Sequence, residues 1–294
     1  MAHTYVIGDI GGHASELVGA LVGLGADPKT LELPDATYVI QVGDLIDRGP
    51  DSEWALEVAR TAWVVNDGRY IQLIGNHEMN YLAAQPVFVH DFDVRVESAL
   101  FEFAQAGGLY VAAGIEGESG AWLASHAGLT YGAWVRLGAC CDVASVVGRL
   151  NDGWELGAAA VWNTGRMLSG ESLNEGAGVL WADAASELIG SWRNKTCPFY
   201  QVSGHSSLFR FASRRWLVHS AERTHVTLDE AQHHVTWRGA NNHFVGIDPQ
   251  FSRVSHSSWR PYAVNGETLV TGRAVKCLGG GLSPSRLFDL GSTA

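Results

Sequence analysis

Three short apolar runs set the frame of this chain, because each stops at a glycine followed by a side chain with a ligating oxygen. Thr4 to Ile7 runs into Gly8-Asp9, Ala36 to Val42 into Gly43-Asp44, and Arg69 to Ile74 into Gly75-Asn76. Between them lie stretches with helical spacing. Ser15 to Leu24 keeps Leu17, Ala20, Leu21 and Leu24 in phase, and a second stretch opens at Pro50 and runs through Trp54, Leu56 and Val58 to Ala62. Strand, helix, strand, helix, strand at this spacing predicts right-handed βαβ units and a parallel sheet. In an open α/β sheet the carboxyl ends of the strands share one edge, and ligands bind there.

Two later strands repeat the signature with histidine. Ala121 to Ser125 ends in His126-Ala127-Gly128-Leu129, and Pro198 to Val202 ends in Ser203-Gly204-His205. Helical patterns cover Val94 to Ala106, Val143 to Leu150 and Ala184 to Trp192. After His205 come β-like runs at Phe209 to Phe211, Trp216 to His219, His234 to Arg238, Phe244 to Ile247 and Leu269 to Val275. They predict a second, antiparallel sheet packed on the first. No repeat or linker breaks the chain, so residues 1–294 read as one domain, with 283–294 a loose tail.

Composition narrows the function. At 46% hydrophobic and 17% charged, the chain is globular rather than disordered. A net charge of -11 weighs against a nucleic-acid polymer as partner. No apolar run approaches the roughly 18 residues of a membrane span. The first strand begins almost at the N-terminus, which argues against a signal peptide. Cys140, Cys141, Cys197 and Cys277 form no Cys-x-x-Cys pair. A reduced, cytoplasmic protein is the expectation.

Asp9, Asp44, Asn76, His126 and His205 each read alone as polar loop residues. Together they are oxygen and imidazole donors at five strand ends, each near a glycine. Mixed oxygen and nitrogen donors suit manganese, iron or zinc better than calcium. Asp44 has two oxygens with lone pairs to share, so it can bridge two ions. Two ions sharing a carboxylate can activate a water and neutralise a phosphoryl group.

At this point a family resemblance emerges. Gly43-Asp44-x-x-Asp47-Arg48-Gly49 with Gly75-Asn76-His77-Glu78 resembles the phosphoprotein phosphatases, the PPP-type serine/threonine enzymes among the calcineurin-like metallophosphoesterases. Gly8-Asp9, His126-Ala127-Gly128 and Gly204-His205 follow in that family's order, and Leu180-Trp181-Ala182-Asp183 resembles a stretch between its two histidines. The resemblance covers roughly residues 4 to 250 and is loose between His126 and His205. It implies a four-layer αββα sandwich with two divalent metal ions at the strand ends, manganese first, with iron or zinc as alternatives. On this pattern Asp44 bridges the ions, Asn76, His126 and His205 complete the second site, and Asp9 belongs to the first. His77 is the general acid with Asp47 holding its ring. Arg48 clamps phosphate, with Asn76 beside it. The family's second phosphate arginine is assigned to Arg193, with Arg166 in reserve.

The chain departs from the pattern at its first loop. The family has Gly-Asp-x-His-Gly, and that histidine binds metal; here Gly11 stands in its place and His13 follows two residues later. Gly11 and Gly12 permit backbone angles that could swing His13 inward. Otherwise His13 simply starts the next helix, and its longer path from Asp9 favours that reading. The first site is then weak, completed by water, or empty. The Gly-rich loop could also turn N–H groups toward phosphate. His243 precedes a β-run near the expected site and is a further, minor candidate.

The reaction implied is hydrolysis of a phosphate monoester. Water attacks phosphorus in line and His77 protonates the departing alkoxide; no Ser or Cys stands in a nucleophile motif. Phosphoserine or phosphothreonine in protein is the default substrate. A small-molecule or nucleotide phosphatase, dinucleoside polyphosphate hydrolysis included, is one rival. A catalytically silent binding protein on the same fold is the other. Loops at 114–120 and 162–178 are expected to set specificity. Metal identity, substrate and oligomeric state are not legible.

Overall fold

A computed structural model describes residues 2–88, 92–118, 120–170, 173–239, 241–251, 259–270 and 272–278. The tail expected at 283–294 lies outside them. The chain alternates β1 (His3–Ile7), α1 (Ala14–Gly23), β2 (Thr37–Gln41), α2 (Ser52–Asn66), β3 (Tyr70–Leu73), α3 (Asn76–Leu82) and α4 (Val94–Gln105). Then follow β4 (Leu109–Tyr110), β5 (Ala112–Gly117), β6 (Gly120–Ser125), α5 (Tyr131–Arg136), α6 (Val143–Glu155), α7 (Ala159–Trp162) and α8 (Arg166–Ser169). A π-helical turn, Ala184–Leu188, leads into α9 (Ile189–Trp192). The last part holds β7 (Tyr200–Ser203), β8 (Phe209–Arg210), β9 (Arg215–Trp216), a 3-10 turn (Ser220–His225), β10 (Val226–Asp229), β11 (His234–Gly239), β12 (Asn242–Gly246), β13 (Tyr262–Asn265) and β14 (Glu267–Leu269).

The first sheet runs β13-β1-β2-β3-β4, with β1 to β4 parallel and β13 antiparallel. The second runs β10-β11-β12-β7-β6-β5-β14. It is mixed, not antiparallel as expected: β12, β7 and β6 are mutually parallel. The two sheets pack face to face. Val6, Ile40, Val42, Ile71 and Leu73 of the first meet Ile115, Ala124, Val202, Val245 and Ile247 of the second in one buried cluster. Strand period decides the division. Val6 and Ile40 point to that inner layer, while their neighbours Ile7 and Val39 join Leu17, Leu21, Leu56 and Ala59 of the helices outside. On the second sheet's outer face, Leu123 shares a cluster with Val146, Val147 and Leu150 of α6. Burial on both faces explains why these strands read as continuous apolar runs. The four-layer αββα sandwich is therefore borne out.

Three local readings are corrected. The motif Gly75 to Glu78 is not an open loop: Asn76 begins α3, and Gly75 caps it. Residues 112–117 form a strand, paired on both sides by β6 and β14. The turn after them closes at Gly117 opposite Gly120, the end of β6 remote from His126. It therefore sits at the wrong edge to shape a site at the strand ends. Strand β14 ends at Leu269, short of the Leu269 to Val275 run. Among the described residues no helix is long and apolar enough to cross a membrane.

Candidate active site

All five strand-end residues come to one edge. Asp9, Asp44 and Asn76 follow β1, β2 and β3; His126 and His205 follow β6 and β7 of the facing sheet. The approach is close. A Cβ at Gly204 would collide with Asp9 Oδ1, and one at Gly43, which has φ 97°, would collide with the backbone of Gly75. Beneath them the buried Gln41 ties the ends of β1 and β2 together, donating to Gly8 O (3.0 Å) and Gly43 O (2.8 Å). Asp44, Asp47, Arg48 and His205 all have positive φ, 48°, 67°, 62° and 61°. Non-glycine residues pay strain for that backbone, and such strain gathers at functional sites.

Glu78 braces the strained loop. Its buried carboxylate accepts from the N–H groups of Asp44 (2.8 Å), Leu45 (2.8 Å), Ile46 (3.2 Å) and Gly75 (2.6 Å). Burial and then Asp44 push its pKa up to about 7, although the N–H donors pull the other way. Within the Gly75-Asn76-His77-Glu78 motif the sequence pattern alone assigns Glu78 no role. Its position three residues after the cap of α3, where glutamate reaches back to backbone N–H groups, is the signal that could have found it.

One side of the site is rich in nitrogen. His126 is fully buried and its Nδ1 lies 3.1 Å from Val42 O. Donation there leaves Nε2 as a lone pair. That nitrogen faces Asn76 Oδ1 (3.0 Å), His205 Nδ1 (3.0 Å) and Asp44 Oδ1 (3.4 Å). Burial lowers the pKa of His126, and burial with His126 nearby lowers that of His205 to about 3. Both are neutral donors. Buried His205 Nε2 has no hydrogen-bond partner. A bare nitrogen turned toward two oxygens has no bond to make with them, whereas a cation among these atoms satisfies them all. Asp44, His126 and His205 have the spacing of a metal-binding group. The residues present therefore fit a first-row ion.

The other side is acidic. Asp9 accepts the His205 N–H through both oxygens, each at 3.0 Å. Burial, then Asp248 and Asp44, push its pKa well above the usual range. For Asp44, burial opposes charge, but His126, His77 and His205 and the His77 N–H outweigh it and lower the pKa to about 2. His13 lines the same cavity. It stands at the N-cap position of α1 with no side-chain cap bond; its Nδ1 lies 3.1 Å from Ile10 O and its ring leans on Phe251, centroids 5.0 Å apart. It is outside the metal-binding group.

His77 and Asp47 form the expected pair: Nδ1 lies 2.6 Å from Asp47 Oδ2. Tyr81 donates to the other Asp47 oxygen (3.2 Å). Burial works against a charged His77, but Asp44 and the Asp47 hydrogen bond prevail and raise its pKa. Arg48 donates to His77 Nε2 from Nε (3.2 Å) and Nη2 (3.1 Å). A cavity of about 480 Å³ opens beside these groups, lined by Asp9, Asp44, Arg48, Arg166, Arg210 and Asp248 among others.

Arg193 is not brought to the site. It pairs with Glu222 at 2.6 Å, half exposed, and does not line the cavity. Arg166, its reserve, does. The cause is Glu187, fully buried, which accepts from the N–H groups of Arg166, Asn174 and Asp183 (each 2.9 Å) and so fixes α8 against the cavity. His243 lies apart, against Trp122 and Tyr200. Arg210 and Asp248 were missed. Asp248 follows β12 as Asp9 follows β1, so the strand-end rule, carried past His205, would have reached it.

A family model for calcineurin-like phosphoesterases matches residues 2–164, more than half of the chain. The chain belongs to the calcineurin-like phosphoesterase family. The expected enzyme class, a metal-dependent phosphatase, agrees with that membership. Two curated relatives come from Salmonella typhimurium. Serine/threonine-protein phosphatase 1 is 37% identical over 83 residues, 28% of this chain and 33% of that protein. Serine/threonine-protein phosphatase 2 is 35% identical over 82 residues, 28% of this chain and 32% of that one. The matches thus span about a third of these relatives' length. Among solved structures, a cold-active protein tyrosine phosphatase aligns over 91% of this chain and 73% of its own, with 15% identity and a TM-score of 0.49. One from a psychrophilic Shewanella aligns over 92% and 80%, with 16% identity and a TM-score of 0.46.

Proposed function

We propose that this protein is a metal-dependent phosphomonoesterase working with two divalent ions. The observation that carries the reading is the convergence on His126 Nε2 of Asn76 Oδ1, His205 Nδ1 and Asp44 Oδ1, beside the His77–Asp47 pair. Asp44, Asn76, His126 and His205 would hold one ion, and Asp9 with Asp44 would hold the other. Bound ions supply the charge that activates water and neutralises phosphoryl oxygens, and manganese is the first choice.

The chain's own residues do the rest. Arg48 presents a planar fork to phosphate. It now donates to His77 Nε2, and a nitrogen that accepts from a guanidinium carries no proton. Phosphate therefore draws Arg48 away before His77 can act as an acid. Asp47 then holds the ring through Nδ1 and favours the imidazolium, so that Nε2 can give its proton to the departing alkoxide. Tyr81 keeps Asp47 in place.

A phosphoserine or phosphothreonine protein is the substrate we infer, supported by the two Salmonella relatives. A small phosphate ester or nucleotide is the second reading. What favours it is the recess of about 480 Å³ with Arg48, Arg166 and Arg210 in its wall. The four cysteines are unpaired, which supports a cytoplasmic setting. The test is to assay metal-depleted protein on a phosphopeptide, a nucleotide and an aryl phosphate, with Mn, Zn, Fe and Mg restored in turn. Turnover restored by metal supports the proposal; no turnover on any substrate with any ion leaves a silent binding protein. The substrate with the highest kcat/KM decides between the two esters.

A further inference from the structure

The gap at Gly11 raises the question of what completes the acidic half of the site. Gly11 leaves open space: an added Cβ would meet nothing nearer than Asp47 O at 3.7 Å and Arg48 Cβ at 3.9 Å. His13, from the same loop, lines the cavity but lies against Ile10 O and Phe251. The opposite wall is formed by the chain leaving β12. That strand runs parallel to β7 with Gly246 beside Ser203, and the Ile247 N–H donates to Ser203 O at 2.8 Å. Two residues beyond each of these partners stand Asp248 and His205, so Asp248 is level with His205 one strand over.

The first sheet closes on the same segment. Gly8 packs so tightly against it that a Cβ would collide with Ile247 O and lie 2.9 Å from Pro249 Cδ. Asp248 is flanked by the two residues that Gly8 touches, and Asp9 follows Gly8. Asp9 in turn is tied to His205 by its N–H. Asp9, Asp44 and Asp248 thus line the same cavity, with only Asp44 of the three already in the preformed metal-binding group. Asp248 Oδ1 accepts the Gln250 N–H at 2.8 Å, which fixes the carboxylate's direction. The surroundings are not merely acidic, because His205, whose Nε2 is buried with no hydrogen-bond partner, lines the same cavity.

We propose that Asp248 is a ligand of the first metal ion, taking the place that Gly11 vacates. This rests on the two-metal reading above. Three carboxylates around one ion would make that site harder than its partner, which has two imidazoles. Hard oxygen donors suit Mn and Mg, while imidazole suits Zn. The first site should then discriminate less strongly in favour of zinc than the second.

The test is metal stoichiometry and affinity of the full chain, measured by elemental analysis and by titration of chelated protein with Mn. The wild type, Asp248→Asn and Asp248→Ala are compared. Asn keeps an oxygen for the Gln250 N–H, so thermal unfolding of the metal-free proteins reports whether the fold is intact. The proposal expects two Mn per chain in the wild type. In both variants the second equivalent should weaken by about 10–100-fold or more, a range already reached by groups that only support metal ligands. The first equivalent should be unchanged. If the wild type holds two ions and both variants keep them with wild-type affinity, Asp248 is not a ligand although the two-metal reading stands. A wild type that holds one ion or none overturns that reading and this inference with it. If Asp248→Asn binds normally and only a destabilised Asp248→Ala loses metal, the residue is structural and the proposal fails.

Discussion

The two halves of the site are built from different materials. The half around His126 is assembled from the parallel pair β6 and β7 and the start of α3, and its donor atoms already touch one another at 3.0 to 3.4 Å. It is buried, neutral except for Asp44, and complete. The half around Asp9 is made from the ends of β1 and β12, opens on the cavity, and brings like charges together. Burial therefore acts oppositely on the two. It keeps the imidazoles of His126 and His205 neutral, and it makes the Asp9 carboxylate costly to ionise. The difference teaches that one donor set can be preformed while the other, on the two-ion proposal, would depend on its ion.

The largest effect should come from the residue common to both halves. On the two-ion proposal Asp44→Asn removes the charge between the cations, so turnover should vanish and metal be released while the sandwich stays folded. Near-normal turnover in that variant would refute the shared carboxylate.

His77 lies outside the comparison and should separate proton transfer from metal binding. His77→Asn should lower turnover on alkyl phosphates by roughly 10²–10⁴-fold, with metal content unchanged. An aryl phosphate, whose leaving group hardly needs a proton, should lose much less. Equal losses on both would assign His77 another task.

A pH profile sharpens the contrast between acid and ligands. The acid works only when protonated, and the pKa of His77 is raised above its ordinary value. Alkyl-phosphate turnover should hold through neutral pH and fall as pH rises through that pKa. The nitrogen ligands have lowered pKa values, His205 to about 3, so proton competition for them begins only in acid. His77→Asn should abolish the alkaline fall; a fall that persists belongs to some other group.

How much was legible follows the same division. Asp9, Asp44, Asn76, His126 and His205 were readable because strand period, glycine and a polar residue recur five times. The αββα sandwich followed from the family those motifs resemble. The mixed character of the second sheet was not readable, since β-like runs carry no sign of strand direction. Arg193 was misplaced because sequence spacing says nothing about Glu222, which claims its guanidinium from elsewhere in the chain. Asp248 escaped because it sits far from the motifs, although its strand-end setting is theirs.

The smallest effect is expected at the first loop. His13→Ala should leave metal content nearly unchanged, because His13 is occupied with Ile10 O and Phe251. Gly11→His has room for its Cβ but must adopt φ near 50°, so it should tighten the weaker ion only modestly. A fall to one ion per chain in His13→Ala would instead make His13 a ligand.

The most direct measurement is a calorimetric titration of chelated wild-type protein with Mn, with phosphatase turnover followed at each addition. The account predicts two ions per chain of unequal affinity, the tighter at the His126 half, with turnover appearing only as the second binds. Full turnover with one ion bound, or two ions binding with equal affinity, would contradict it.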